Sequence, residues 1–254
     1  MTAALLPAAT LWWREVVRFY RDRSRAISSI VTGVLFWLLF GFGLVDSFAP
    51  AGMPADVGAV EYLYPGIVVF IVLLTAVVGT FSLIEDRRQG FLQGVLVAPV
   101  PTGAIVLGKV MGGTTMALLQ GVVLLPLAPL VGIEVTAGGL ALSVLALFLV
   151  AFALTSLGFV LAWRMESIQG FHGIVNLLLM PLGILSGAFF PLAGAAGGLE
   201  LVMRLDPVTY GLSAFREALY STPGIEPIGP WLAWGVSIGF AAAAFGAAVL
   251  LARR

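Results

Sequence analysis

Four consecutive charges, Glu85-Asp86-Arg87-Arg88, interrupt a very apolar chain. They are followed by Gln89-Gly90-Phe91-Leu92-Gln93-Gly94-Val95-Leu96-Val97-Ala98-Pro99-Val100-Pro101. Carboxylates beside guanidinium groups can pair with one another or grip a partner. Phe91, Val95 and Leu96 fall at i, i+4 and i+5, on one side of a short helix. Pro99 and Pro101 stop that helix. A charged-to-amphipathic helix over 85–101, lying at a membrane surface, is well placed to receive a push from a soluble partner. A solvated loop between two membrane helices accounts for the same residues equally well.

Other arrangements invite chemistry and fall short of it. Gly103-Ala104-Ile105-Val106-Leu107-Gly108-Lys109 fits seven positions of a phosphate-binding loop. The eighth should be Ser or Thr and is Val110, and the preceding Pro-Val-Pro-Thr is no strand. Lys109 is therefore expected to snorkel from a helix end, and any ATP and Mg belong to another chain. His172 and Ser186 stand 14 positions apart on one predicted helix, about 21 Å along its axis, so they cannot act as base and nucleophile. No Gly-x-Ser-x-Gly elbow is present. No catalytic residue and no metal site are predicted. An ion-coupled carrier needs a carboxylate near the bilayer midplane. Glu85, Asp86, Glu134 and Glu166 all fall at predicted span ends. The interior polar groups are neutral, with Gln120 and Asn176 the strongest candidates for touching cargo. An apolar, neutral interior suits an amphipathic or lipid-like cargo.

The elements that must carry these residues follow from composition. The chain has 254 residues, 60% hydrophobic and 10% charged, whereas a soluble domain carries about a quarter charged residues. An all-α integral membrane protein follows, as a single domain over 1–254. Thirteen basic and thirteen acidic residues cancel, which argues against nucleic acid as a partner. The chain has no cysteine. Six apolar segments near the span length of about 20 residues are expected at 26–45, 62–84, 104–131, 139–162, 171–192 and 231–252. Pro126 and Pro129 should break the outer end of the third. Trp12 and Trp13 interleave with Arg14, Arg18 and Arg21 within 11–25, which suits an interfacial helix in contact with membrane lipid. A basic tail that only sets topology is the plainer reading. Basic residues concentrate on one side, so both termini and the 85–101 segment should be cytoplasmic. The outer connection 193–230 should hold an amphipathic helix started by Asp206-Pro207. Val208, Leu212, Phe215 and Leu219 form its inner face, with Ser213, Arg216 and Glu217 off that face. The spacings Gly108-x3-Gly112, Gly183-x3-Gly187 and Gly235-x3-Gly239 permit close helix approach.

The order Glu85-Asp86-Arg87-Arg88-Gln89-Gly90, then Pro99, then Leu107-Gly108-Lys109 resembles the segment after the second span of ABC-2 type permeases. Gly187-Ala188-Phe189-Phe190-Pro191 and Asp206-Pro207-Val208-Thr209-Tyr210, with Arg216, resemble the same family, which more often has Asn before that Pro. The resemblance implies the membrane subunit of an exporter, in a pair of permease subunits with two ATP-binding subunits in the cell membrane. It is nearest to the drug-resistance group. It further implies an interfacial helix carrying Trp12, Trp13, Arg14, Arg18 and Arg21, and a coupling helix carrying Glu85, Asp86, Arg87, Arg88, Gly90, Phe91 and Pro99. Gln120, Asn176 and Phe189 are candidates for the translocation path. An autonomous secondary transporter, and behind it an intramembrane enzyme, are the rival readings.

Overall fold

The computed structural model describes residues 2–21, 31, 35, 38–39, 58–192, 195–220 and 227–253. The expected first span, 26–45, lies largely outside these. The described residues are mostly helical and form no strand. Helix α1 covers Thr2–Arg21, α2 covers Ala59–Gly79 and α3 covers Phe81–Arg88. Helix α4 is the short Phe91–Leu96, α5 is Thr102–Leu124 and α6 is Ala137–Ala162. Then come α7 (Ile168–Ala188, with π turns at Val175–Leu179 and Ile184–Ala188), α8 (Gly197–Leu205), α9 (Pro207–Leu219) and α10 (Pro230–Ala252). Among the described residues, five helical runs are long and apolar enough to cross a membrane: Val60–Arg88, Thr102–Val131, Ala137–Ala162, Ile168–Ala188 and Pro230–Ala252.

Several boundaries depart from the sequence expectation, each for a physical reason. The second span does not stop at 84. Thr80 makes only a single turn, its hydroxyl bonded to the Val77 carbonyl, and α3 carries the helix on to Arg88. The stretch 85–101 is consequently not one helix. Gly90, at φ +75°, ends α3 and starts α4, a backbone state that costs a glycine little. The four charges thus belong to the end of a membrane helix, and the short helix after them is nearly uncharged. The third span breaks where its prolines predict, with Leu125–Val131 tightened into 3-10 geometry. Helix α1 begins at Thr2, well before the expected 11, and residues 22–25 lie outside the described residues.

Helix α2 is the central post, with Tyr62–Leu73 buried almost without interruption. Helices α5, α6 and α9 pack around it, and α10 covers α6. Helix α1 lies across α5, and two glycines make that possible. A Cβ on Gly108 would stand 2.7 Å from the Ala8 carbonyl oxygen, and one on Gly112 only 2.5 Å from the Glu15 Cβ. The Gly108-x3-Gly112 spacing therefore seats α1 within the chain. Gly183 seats against Phe70 and Leu73, whereas Gly235 and Gly239 meet nothing within 4 Å.

Helix α9 is buried more completely than its charges predict. Val208, Leu212, Phe215 and Leu219 face the core as expected, but Ser213 and Arg216 are buried as well, at 2% and 3% exposure. Helices α2, α6, α7 and α10 contact α9 on several sides, so a helix expected to be half wet has little outer face. Asp206 caps it, Oδ1 accepting from the Val208 amide at 2.8 Å, while Oδ2 is buried without a partner among the described residues. Burial pushes the Asp206 carboxyl up to about 7, and the Val208 bond offsets only part of that. In the unfolded chain it titrates near 3.8. Between those values the folded chain retains a proton that the unfolded chain has released, so stability falls as pH rises through that window. An Asn here keeps the cap and does not titrate. Asp206→Asn should raise the thermal unfolding midpoint in detergent at pH 8, and the gain should shrink towards pH 4. An equal gain at both pH values would show that the carboxyl is not held protonated.

Candidate functional site: a buried charge network beneath an exposed apolar helix

Asp86 sits on the last turn of α3 and is 0% exposed. An isolated carboxylate in that position would be prohibitively costly, and three cations surround this one. Arg14 donates to it through both terminal nitrogens, at 2.8 and 2.7 Å, in the forked geometry that suits a carboxylate. Arg18 donates to Oδ1 at 3.1 Å, and Lys109 is hydrogen-bonded to Oδ2. Lys109 also donates to Glu15 at 2.6 Å, Arg14 to Glu15 at 3.0 Å, and Arg18 pairs with Glu85. Three cations and three carboxylates close on themselves. Donating to Asp86 raises the already high pKa of Arg14 further, so its charge is permanent.

The network corrects two expectations. Lys109 does not snorkel. Its side chain is 4% exposed and is held between two carboxylates. Its position on α5 also disposes of the phosphate-loop reading, because Gly103–Lys109 are the first turns of a helix, with the Ala104 and Ile105 amides bonded to the Pro101 carbonyl. The island at 85–88 is not uniformly solvated either. Arg88 is exposed, but Asp86 is enclosed, and Arg87 reaches the carbonyls of Trp163 and Met165 with its guanidinium 5.5 Å over the Trp163 ring. Arg87 thereby closes the free carbonyl end of α6, where a cation is favoured.

Helix α4 rests on this base. The Arg14 guanidinium lies 3.8 Å over the Phe91 ring, a cation–π contact, and Leu92 is buried. Beyond them the surface is apolar and open: Leu96 is 43% and Val97 86% exposed, and Pro99 is exposed. Between α1 and α4 runs a groove of about 440 Å³ lined by Pro7, Leu11, Phe91, Val95, Ala98 and Val100. Helix α1 is tied down on its other side by the Trp12 indole, which donates to Thr115 at 2.9 Å. Trp13 and Arg21 stay exposed. Arg14 and Arg18, predicted to face lipid headgroups, face α3.

The remaining sequence candidates do not meet in one copy of the chain. Gln120 is buried on α5, Asn176 is exposed on α7, and Phe189 lies edge-on to Phe70 at 5.3 Å. His172 packs its ring against Phe81, and the Ser186 hydroxyl donates to the Gly183 carbonyl. Sequence reasoning missed Glu15. It is the one acidic residue of α1 and falls in the stripe Ala8, Leu11, Glu15, Val16 that the helix buries, so a carboxylate on the apolar face was the available signal.

Removing one member of a buried pair strands the others. Lys109→Met should destabilise the chain by about 3–5 kcal/mol, read as a lowered unfolding midpoint. Adding Asp86→Asn restores neutrality and should recover about 1–3 kcal/mol of that loss. Arg204 pairs with Glu200 on the surface, both partners more than a third exposed, and Arg204→Ala should change stability by under about 0.5 kcal/mol. If the double variant loses as much as Lys109→Met and Asp86→Asn added together, the two groups are not coupled.

Comparison with known proteins gives this geometry a family. The chain is 24% identical to the inner membrane transport permease YadH of Escherichia coli K12 over 233 residues, 91% of this chain and 88% of YadH. It is 28% identical to nodulation protein J of Sinorhizobium fredii, covering 87% of this chain and 86% of that protein. With the putative transport permease ycf38 of Cyanophora paradoxa it shares 26% identity over 81% of this chain and 72% of the relative. Residues 8–220 match the family described as ABC-2 type transporter, and they contain the charge network, α4 and the Asp206-Pro207 helix: this multi-pass membrane protein is an ABC-2 transport permease and belongs to that family.

Proposed function

We propose that the chain is the permease subunit of an ATP-driven exporter, and that α4 is the surface on which a separate ATP-binding subunit docks. One observation carries this reading. A short helix with an exposed apolar tip, Leu96 and Val97, is mounted on a neutral ion network, buried at Asp86, Lys109 and Glu15, that joins α1, α3 and α5. Apolar side chains displayed beside water favour a protein partner, and a push on α4 acts through Phe91 and Arg14 on three helices together. ATP and Mg are then the partner's, held by a chain with a complete phosphate-binding loop. Glu85, Asp86, Arg87, Arg88, Gly90, Phe91 and Pro99 transmit the movement.

In this reading 26–45 is a sixth span, and α1 carries Trp13 and Arg21 at the lipid interface. Both termini and the α3–α4 corner face the cytoplasm of the inner membrane, in keeping with the concentration of basic residues on that side and with the name given to YadH. Two copies of the permease, or this chain and a relative, enclose a path to which Gln120, Asn176 and Phe189 contribute. Cargo of amphipathic or lipid-like character leaves by alternating access. The neutral interior favours this over a small ion.

Val97→Asp should separate docking from folding, since Val97 is almost fully exposed. The permease should be made and inserted normally, yet fail to co-purify with its ATP-binding subunit, and that ATPase should no longer respond to it in reconstituted vesicles. Phe91→Ala is less clean, because it also uncovers Arg14. Retention of the ATPase by Val97→Asp would remove α4 as the docking surface. Orientation is checked separately with single cysteines at Ser24 and Ser221 in the cysteine-free chain. An impermeant thiol reagent added to intact cells should label only the second.

A further inference from the structure

A second buried cation marks the other end of α2. Arg216, on α9, is 3% exposed. Its Nη2 donates to the Gly187 carbonyl at 3.0 Å and to the Tyr62 carbonyl at 3.3 Å, and its guanidinium lies 4.2 Å over the Tyr62 ring. The Tyr62 hydroxyl donates to the same Gly187 oxygen at 3.0 Å. Gly187 is where α7 ends, its φ of +88° turning the backbone out of the helix. A carbonyl that leaves a helix inside a bundle needs donors from elsewhere, and here α2 and α9 supply them. The turn is pressed hard onto α2, since a Cβ on Gly66 would stand 2.6 Å from the Ala188 Cα. Three helices thus converge on one oxygen.

Tyr62 and Asp86 lie on the same helical run, Val60–Arg88, and their separation of 24 positions is about 36 Å at the helical rise. The network beneath α4 and the Gly187 oxygen therefore lie towards opposite ends of one helical run, with a single turn at Thr80 between them. We infer that Arg216 is a positioning residue for transport: it holds the end of α7 against α2, and release of that hold opens the bundle at this end. A guanidinium suits the task, because it stays charged and its flat group stacks on the Tyr62 ring while Nη2 reaches both carbonyls. Lysine offers a charged donor without the flat group.

The test uses the full chain in its membrane, which is cysteine-free. Ser186 is 1% exposed beside the turn, and Ser156, on α6, is 0% exposed. Ser186→Cys should react slowly with N-ethylmaleimide. Combining it with Arg216→Met should speed the reaction by about tenfold or more, as a local opening becomes easier. Arg216→Lys should restore part of the protection, and Ser156→Cys should be unaffected by either change. An unchanged rate at Ser186→Cys, equal acceleration by Lys and Met, or acceleration at Ser156→Cys as large as at Ser186→Cys would each overturn the assignment. A last arm rests on the reading of the chain as an ATP-driven permease. In the assembled complex Mg-ATP should raise Ser186→Cys reactivity when Arg216 is present and add nothing in Arg216→Met. If the membrane result stands and Mg-ATP changes nothing in either, the hold by Arg216 survives and the ATP-driven reading does not.

Discussion

A carboxylate with no access to water has to be surrounded by positive charge, and much of the architecture follows from satisfying Asp86. Its cations come from two other helices, Arg14 and Arg18 from α1 and Lys109 from α5. That requirement brings α1 onto α5, and the approach is possible only because Gly108 and Gly112 leave room for Ala8, Leu11 and Glu15. Glu15 balances Lys109 and Glu85 balances Arg18. Ion pairs at such depth add little to stability over well-packed apolar residues, but breaking one is costly. Their contribution here is a fixed geometry among three helices.

The fixed geometry gives α4 a rigid mounting. The helix itself is only six residues long, far too short to hold its shape alone. It is held by Gly90 at one end, by Leu92 in the core and by Phe91 under Arg14. Force on its exposed tip is delivered to charged groups that cannot move independently. The long run from Val60 to Arg88, with its single turn at Thr80, extends from that base to the turn at Gly187.

The membrane class, the apolar segments and the Pro-broken third span were legible in the sequence because they depend on composition and on backbone rules that act locally. The Asp206 cap was legible for the same reason. The site was legible in its residues and not in its arrangement. Glu85 to Arg88 stood out as charges in an apolar run, but nothing local distinguishes Asp86, which points inward, from Arg88, which points out. That difference depends on Arg14 and Lys109, 72 and 23 positions away. Lys109 read as a snorkelling lysine because its partners lie on other helices. Arg216 read as solvent-facing because a 3.6-residue period assumes one wet side, and α9 has almost none.

The spacing of these partners along the chain also sets an order of assembly. Helix α1 is synthesised first, with a glutamate on its apolar stripe and arginines beside it. Asp86 follows about 70 residues later and Lys109 last, 94 positions after Glu15. Until α5 has entered the bilayer, α1 has neither its glycine seat nor Lys109, and Glu15 has only its neighbour Arg14, so α1 cannot dock in its final place. Closure of the network is therefore a record that α3 and α5 have both been inserted with the correct ends together. A chain in which either helix went in reversed would leave these charges unpaired, at the cost of burying them alone.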